Sequence, residues 1–208
     1  MDFSQKGTDM KRLLKYSIIT SLTLLLLAIF LVYFGANYPG ARFLYGTEKD
    51  LARSVYDSSL NVNLIQIVFD TPYTFGTSKA IGNTIHIKAA DYSSPESLEN
   101  NAFLIHEFGH VWQYQNHGWS YIPNSLIAQF LAFIRTGSRS AAYNWETSLN
   151  NGVPWEKLNP EEQAESITEY FYYRELSKDA TIHQQELKRI LERFCFIPFL
   201  RDGLCERK

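Results

Sequence analysis

Leu104-Ile105-His106-Glu107-Phe108-Gly109-His110-Val111-Trp112 is the stretch from which the rest of the chain is best read. It contains an HExxH pattern. Residues four apart lie one turn apart on the same helix face. Two imidazoles placed this way can bind one Zn²⁺ at about 2.0–2.1 Å. Glu107 is offset around the helix, so it is free to act on a metal-bound water rather than as a ligand. Phe103, Leu104, Phe108, Val111 and Trp112 are apolar. They should bury one side of the helix and leave both histidines facing a cleft. Gly109 costs a helix about 1 kcal/mol relative to Ala, which predicts close approach of another backbone beside the site.

Working outward, Ser93-Ser94-Pro95-Glu96 predicts the start of this helix, with a serine cap and proline in the first turn. His117-Gly118 predicts its end near Asn116. Upstream, 47–58 has helical spacing. Leu64 to Phe69, Thr74 to Lys79 and Thr84 to Lys88 are strand-like. The fold class expected is α+β: a small antiparallel sheet, then a helical part carrying the HExxH helix. Downstream, 122–134 is an apolar helical stretch, too short for a membrane span. It reads as a core helix, a groove wall or a segment touching a bilayer surface. Asn159-Pro160-Glu161 predicts a capped helix running through Tyr173, and a last helix is expected over 181–194.

A catalytic zinc needs a third protein ligand and an open position for water. His117 is seven residues beyond His110, two turns along the same face and too far to reach the same ion. Glu161 and Glu165 share a helix face, so one could bind metal while the other hydrogen-bonds a ligand histidine. The residues alone do not rank the two. For a developing oxyanion, Tyr143, Tyr170, His117 and Arg174 are candidate donors by type.

His106-Glu107-x-x-His110 followed by Glu161-x-x-Ala164-Glu165 resembles the gluzincin zinc metallopeptidases. The resemblance implies a zincin-like domain with Glu161 as third ligand and Glu165 behind a histidine. Gly82-Asn83-Thr84-Ile85, Leu104-Ile105-His106-Glu107, His110-Val111-Trp112-Gln113 and Asn159-Pro160-Glu161-Glu162-Gln163-Ala164 are more closely similar to one group. That group is the metallopeptidase-like core domain associated with extracellular contractile injection systems and Rhs/Vgr proteins. The likeness covers about residues 60 to 175.

At the N-terminus, Tyr16 to Phe34 is an uncharged, apolar run. As a helix it would span about 28 Å, close to the bilayer's hydrocarbon core. It ends in bulky aromatics rather than the small residues of a signal-peptide cleavage site. An uncleaved anchor within residues 1–38 is therefore expected, with lipid around 16–34 and a metallopeptidase-like domain over 39–208. Lys6, Lys11, Arg12 and Lys15 precede the span. They predict a cytoplasmic N-terminus and a domain outside the cytoplasm, periplasmic in a bacterium. The formal net charge of -2 and the lack of a basic patch argue against nucleic acid as a partner. Cys195 and Cys205 could close a short loop there or remain free thiols. The expected function is a membrane-anchored zinc metallopeptidase acting on a peptide or protein. A zinc-stabilised binding module without catalysis, or a secretion- or effector-linked component, is the alternative.

Overall fold

The central strand of the sheet, β4 (Thr84–Ile87), is buried along its whole length. Alternate residues of a strand face opposite sides. Ile85 and Ile87 join the hydrophobic core, whereas Thr84 and His86 meet the end of the first helix. In the computed structural model, which describes residues 3–74, 76–92, 97–179 and 184–199, the four strands run in the order β1-β2-β4-β3. β1 is Arg42–Phe43, β2 Gln66–Phe69 and β3 Lys79–Ile81.

This corrects the expected all-antiparallel sheet. β1–β2 and β3–β4 are antiparallel, but β2 and β4 are parallel, with Ile67 opposite Ile85. The physical reason is the tight turn at Gly82-Asn83. Gly82 adopts φ 63°, and the hairpin folds β3 to the outer side of β4, leaving the inner side for β2. β1 is not expected from the sequence at all, because two residues carry no periodicity.

Helices make up most of the remaining described chain. α1 spans Phe3–Ala36 and α2 Gly46–Tyr56. α3 (Leu98–His117) carries the HExxH motif. α4 is Tyr121–Thr136, α5 Trp145–Asn150, α6 Pro160–Leu176 and α7 Gln184–Glu192; a short 3₁₀ segment at Arg139–Tyr143 follows α4. The cap of α3 is Ser97, which accepts from the Asn100 amide at 3.1 Å; the expected Ser93 start lies outside the described residues. α6 starts as expected. The Asn159 side chain accepts from the Glu161 and Glu162 amides, and the Glu162 carboxylate accepts from the Asn159 amide in return. Cys195 is disulfide-bonded, and Cys205 lies outside the described residues.

α3 and α6 lie against one another through the smallest residues available. A Cβ on Gly109 would come within 3.2 Å of Ala164 Cβ, 3.3 Å of Ala164 Cα and 3.1 Å of the Tyr56 hydroxyl. Tyr56 and Ala164 are fully buried, and Tyr56 donates to the Ile105 carbonyl at 2.8 Å. The close approach expected at Gly109 is thus present. Gly109→Ala gains about 1 kcal/mol of helix propensity. It also presses a methyl against the Tyr56 hydroxyl and against the Ala164 backbone, which must shift together, at about 1–3 kcal/mol. We expect a lower melting temperature; an unchanged or higher one would refute the tight contact.

Among the described residues one helical segment, Leu13–Ala36, is long and apolar enough to cross a membrane, and almost none of it is buried. Its C-terminal turn is fastened to the sheet. Thr84 donates to the Ala36 carbonyl at 2.8 Å, and Tyr73 donates to the Leu31 carbonyl at 2.6 Å. His86 Nε2 lies 3.0 Å from the Gly35 carbonyl, while its Nδ1 lies 2.8 Å from the Thr71 hydroxyl. Donation to Gly35 and acceptance from Thr71 make a neutral imidazole, consistent with burial pushing its pKa down.

Candidate metal centre

α3 presents His106 and His110 from successive turns, with ring centroids 4.9 Å apart. α6 brings Glu161 to meet them. Glu161 Oε2 lies 3.5 Å from His106 Nε2 and 3.4 Å from His110 Nε2. The three ligand atoms all lie within 4.8 Å of one another and could hold a metal ion. Ligands about 2.0–2.1 Å from a tetrahedral zinc stand about 3.3–3.4 Å apart, so the separations of Glu161 from the two histidines fit that geometry.

The outer nitrogens are also occupied. His106 Nδ1 faces Glu165 Oε2 at 3.3 Å, and His110 Nδ1 faces Gln113 Oε1 at 2.9 Å. Each Nδ1–H therefore donates outward and turns Nε2 toward Glu161, an arrangement that orients metal ligands. Gln113 is itself held, donating to the Pro160 carbonyl and to Gln163 Oε1 at 2.9 and 3.1 Å. Glu161 faces both histidines, and Glu165 stands behind one.

The second oxygen of Glu161 is pinned from α4. Ser125 and Gln129 both donate to Oε1, Gln129 at 2.6 Å, and Arg139 donates to Gln129 Oε1. Oε2 alone is left for the histidines. Burial pushes the Glu161 carboxyl up, but His110 and His106 outweigh it and hold it well below the usual carboxylate range. Burial pushes His106 down, yet Glu161 and Glu165 overcome this and raise it to about 10. His110 is raised as well, against burial and chiefly by Glu161.

These shifts fix a pH window for the metal-free protein. A raised imidazole pKa adds stability that is complete below the unfolded value of about 6.5; for His106 it is lost as pH rises through about 10. The depressed Glu161 adds stability present above the ordinary glutamate value of about 4.3 and lost as pH falls. Between these limits the imidazoles hold protons that a metal must displace. Zinc uptake near neutral pH should release about one to two protons per ion. Calorimetric titration in buffers of different ionisation enthalpy reads this, and equal heats in all buffers would exclude these histidines as ligands.

Glu107 is 4% exposed, and its Oε2 has no hydrogen-bond partner. The Ala80 amide of edge strand β3 bonds its carboxyl group. Burial raises its pKa, against the pull of His110 and His106. Tyr121 donates to the Ala80 carbonyl and accepts from the Gly82 amide, each at 3.0 Å. β3 is thereby locked to the site. The cleft that holds these residues is about 540 Å³, and Lys79, Arg139 and Tyr143 also line it.

Of the four candidates by type for an oxyanion donor, Tyr143 reaches the cleft. Its ring lies 5.9 Å from that of His106, and its hydroxyl bonds Glu161. The other three lie elsewhere. His117 packs against Trp112, Tyr170 is buried beside Phe194, and Arg174 donates to the Ser54 carbonyl. Gln113, Tyr121, Ser125, Gln129 and Arg139 join the site without having been expected there. For Gln113 a signal existed in its position three residues after His110; the α4 residues gave none, because a polar residue in an apolar helix reads as solvent-facing. Comparisons with known protein families, curated proteins and solved structures find no match for this chain.

Proposed function

We propose that this chain is a membrane-anchored zinc metallopeptidase of gluzincin type, with the metal held by His106 Nε2, His110 Nε2 and Glu161 Oε2. The observation that carries this reading is the buried, unpartnered Oε2 of Glu107 beside three convergent ligand atoms. A buried polar atom without a partner is costly, and a site that takes up a water and its proton accounts for it. Zinc in such a site supplies a Lewis acid and acidifies water. Glu107 takes the proton from the attacking water at Oε2 and passes it to the leaving amine as the peptide C–N bond breaks. Its raised pKa suits both halves of that transfer. Tyr143 and Arg139 stand at the cleft wall where a carbonyl oxygen gains charge.

The anchor reading is supported by the contacts of Leu31, Gly35 and Ala36 with the domain. Cleavage directly after Phe34 would discard the Tyr73–Leu31 bond, and cleavage after Ala36 would discard all three of these bonds. Charge flanking the span favours a cytoplasmic N-terminus and a site outside.

The test uses the full chain in lipid nanodiscs, loaded with zinc and incubated with a randomised peptide library read by mass spectrometry. New termini should appear and vanish on chelation. One tightly bound zinc with no cleavage of any peptide would overturn the hydrolase and favour a zinc-stabilised binding module.

A further inference from the structure

α4 is inside out for a helix in water. Three of its polar side chains turn to the site: Tyr121 and Gln129 are buried, and Ser125 and Gln129 grip Glu161, while Asn124, Arg135 and Thr136 near its ends are exposed. Its outer face carries Leu126, Ile127, Phe130, Leu131, Phe133 and Ile134, all exposed, with Phe130 and Ile134 62% and 64% accessible. From Tyr121 to Ile134 there is no charged residue. Six large apolar side chains on one helix face exceed the scattered exposure of an ordinary soluble surface.

The position of α4 says what covers it. The cleft is walled on one side by Ile122 and Leu126 of α4 and on another by Leu31 and Val32 of α1. About 20 helical residues cross a hydrocarbon core. Counted from Lys15, that places Leu31 and Val32 in the last turns inside it. The domain is seated on those same turns through Tyr73, Thr84 and His86. It cannot swing away from the bilayer without breaking these bonds. Trp119 is exposed just before α4, and Arg135 lies in its last turn. An aromatic and a cation at the ends of an apolar face suit the headgroup level.

We propose that the apolar face of α4 lies in the same bilayer that α1 crosses, and that the metal cleft opens at the membrane surface between the two helices. The cleft then takes peptide segments presented from the membrane, next to a substrate's own membrane-embedded part; this second statement rests on the hydrolase reading above, whereas the first does not.

The experiment has two arms that fail separately. In the first, nitroxide labels are placed at Phe130→Cys and, as a control, at the exposed Lys157→Cys. The full chain is reconstituted in phosphatidylcholine–phosphatidylglycerol vesicles, with unsubstituted protein as the labelling blank. At position 130 collisions with oxygen should be frequent and those with a water-soluble nickel complex rare; position 157 should show the reverse. Free access of nickel at 130 would overturn the proposal. So would shielding from both reagents, which would mean that protein covers the face. In the second arm, Phe130→Asp/Ile134→Asp is compared with wild type on a randomised peptide library, free or joined to an apolar membrane anchor. Neither residue lines the cleft. Hydrolysis of the anchored library should fall at least tenfold, with the free library and zinc content unchanged. Equal loss on both libraries, or none, would overturn membrane presentation. Cleavage of neither library by wild type would defeat the hydrolase reading and this substrate class with it, leaving the bilayer placement to the first arm.

Discussion

Glu107→Gln should lower peptide hydrolysis by about 10²–10⁴-fold, the range for loss of a positioned general base, while zinc content stays at one per chain. The substitution keeps the shape and the oxygen that the Ala80 amide bonds. It removes only the ability of the unpartnered Oε2 to accept a proton. Glu107 is not among the three convergent ligand atoms, so metal binding has no reason to change. The check pairs initial rates on a cleaved library peptide with zinc counted by atomic emission. Retained activity would remove Glu107 from the reaction. Lost zinc would make it a ligand and dismantle the assignment of roles.

His110→Ala should empty the site, and the loss should exceed that of Gln113→Leu. Removing His110 deletes one of three convergent donors and leaves Glu161 Oε2 facing His106 alone. Removing Gln113 leaves all three but frees the His110 ring from its 2.9 Å partner and cuts the tie to Pro160 and Gln163. Loss of such an orienting partner typically costs about 10–100-fold in metal affinity. Competition with a chromophoric chelator should therefore rank wild type tightest, Gln113→Leu weaker and His110→Ala weakest. A His110→Ala protein that still bound zinc as wild type does would refute the centre as described.

Several features are legible in the chain itself because short-range forces set them. The His106–His110 spacing follows from 3.6 residues per helical turn. The Asn159-Pro160 start of α6 follows from capping of orphan amides, and the expected close approach at Gly109 from the cost of glycine in a helix. Other features are not legible there. A two-residue β1 has no periodicity to detect, and the parallel β2–β4 pairing depends on which side of β4 the hairpin leaves open. The apolar stretch at 122–134 announces an amphipathic helix, but periodicity cannot say which face turns inward.

The amino-acid sequence by itself determined the HExxH helix, the capped helix bearing Glu161 and Glu165, and an apolar helix of membrane length, because each depends on neighbours within a few residues. Only the tertiary structure decided that Glu161 rather than Glu165 meets both histidines, that Gln113, Ser125 and Gln129 hold the would-be ligands in place, and that α1 is docked beside the cleft. Those choices depend on contacts tens of residues apart, such as Ser125 with Glu161 and Leu31 with Tyr73. They are set by how helices and sheet share a buried core, which no local pattern encodes.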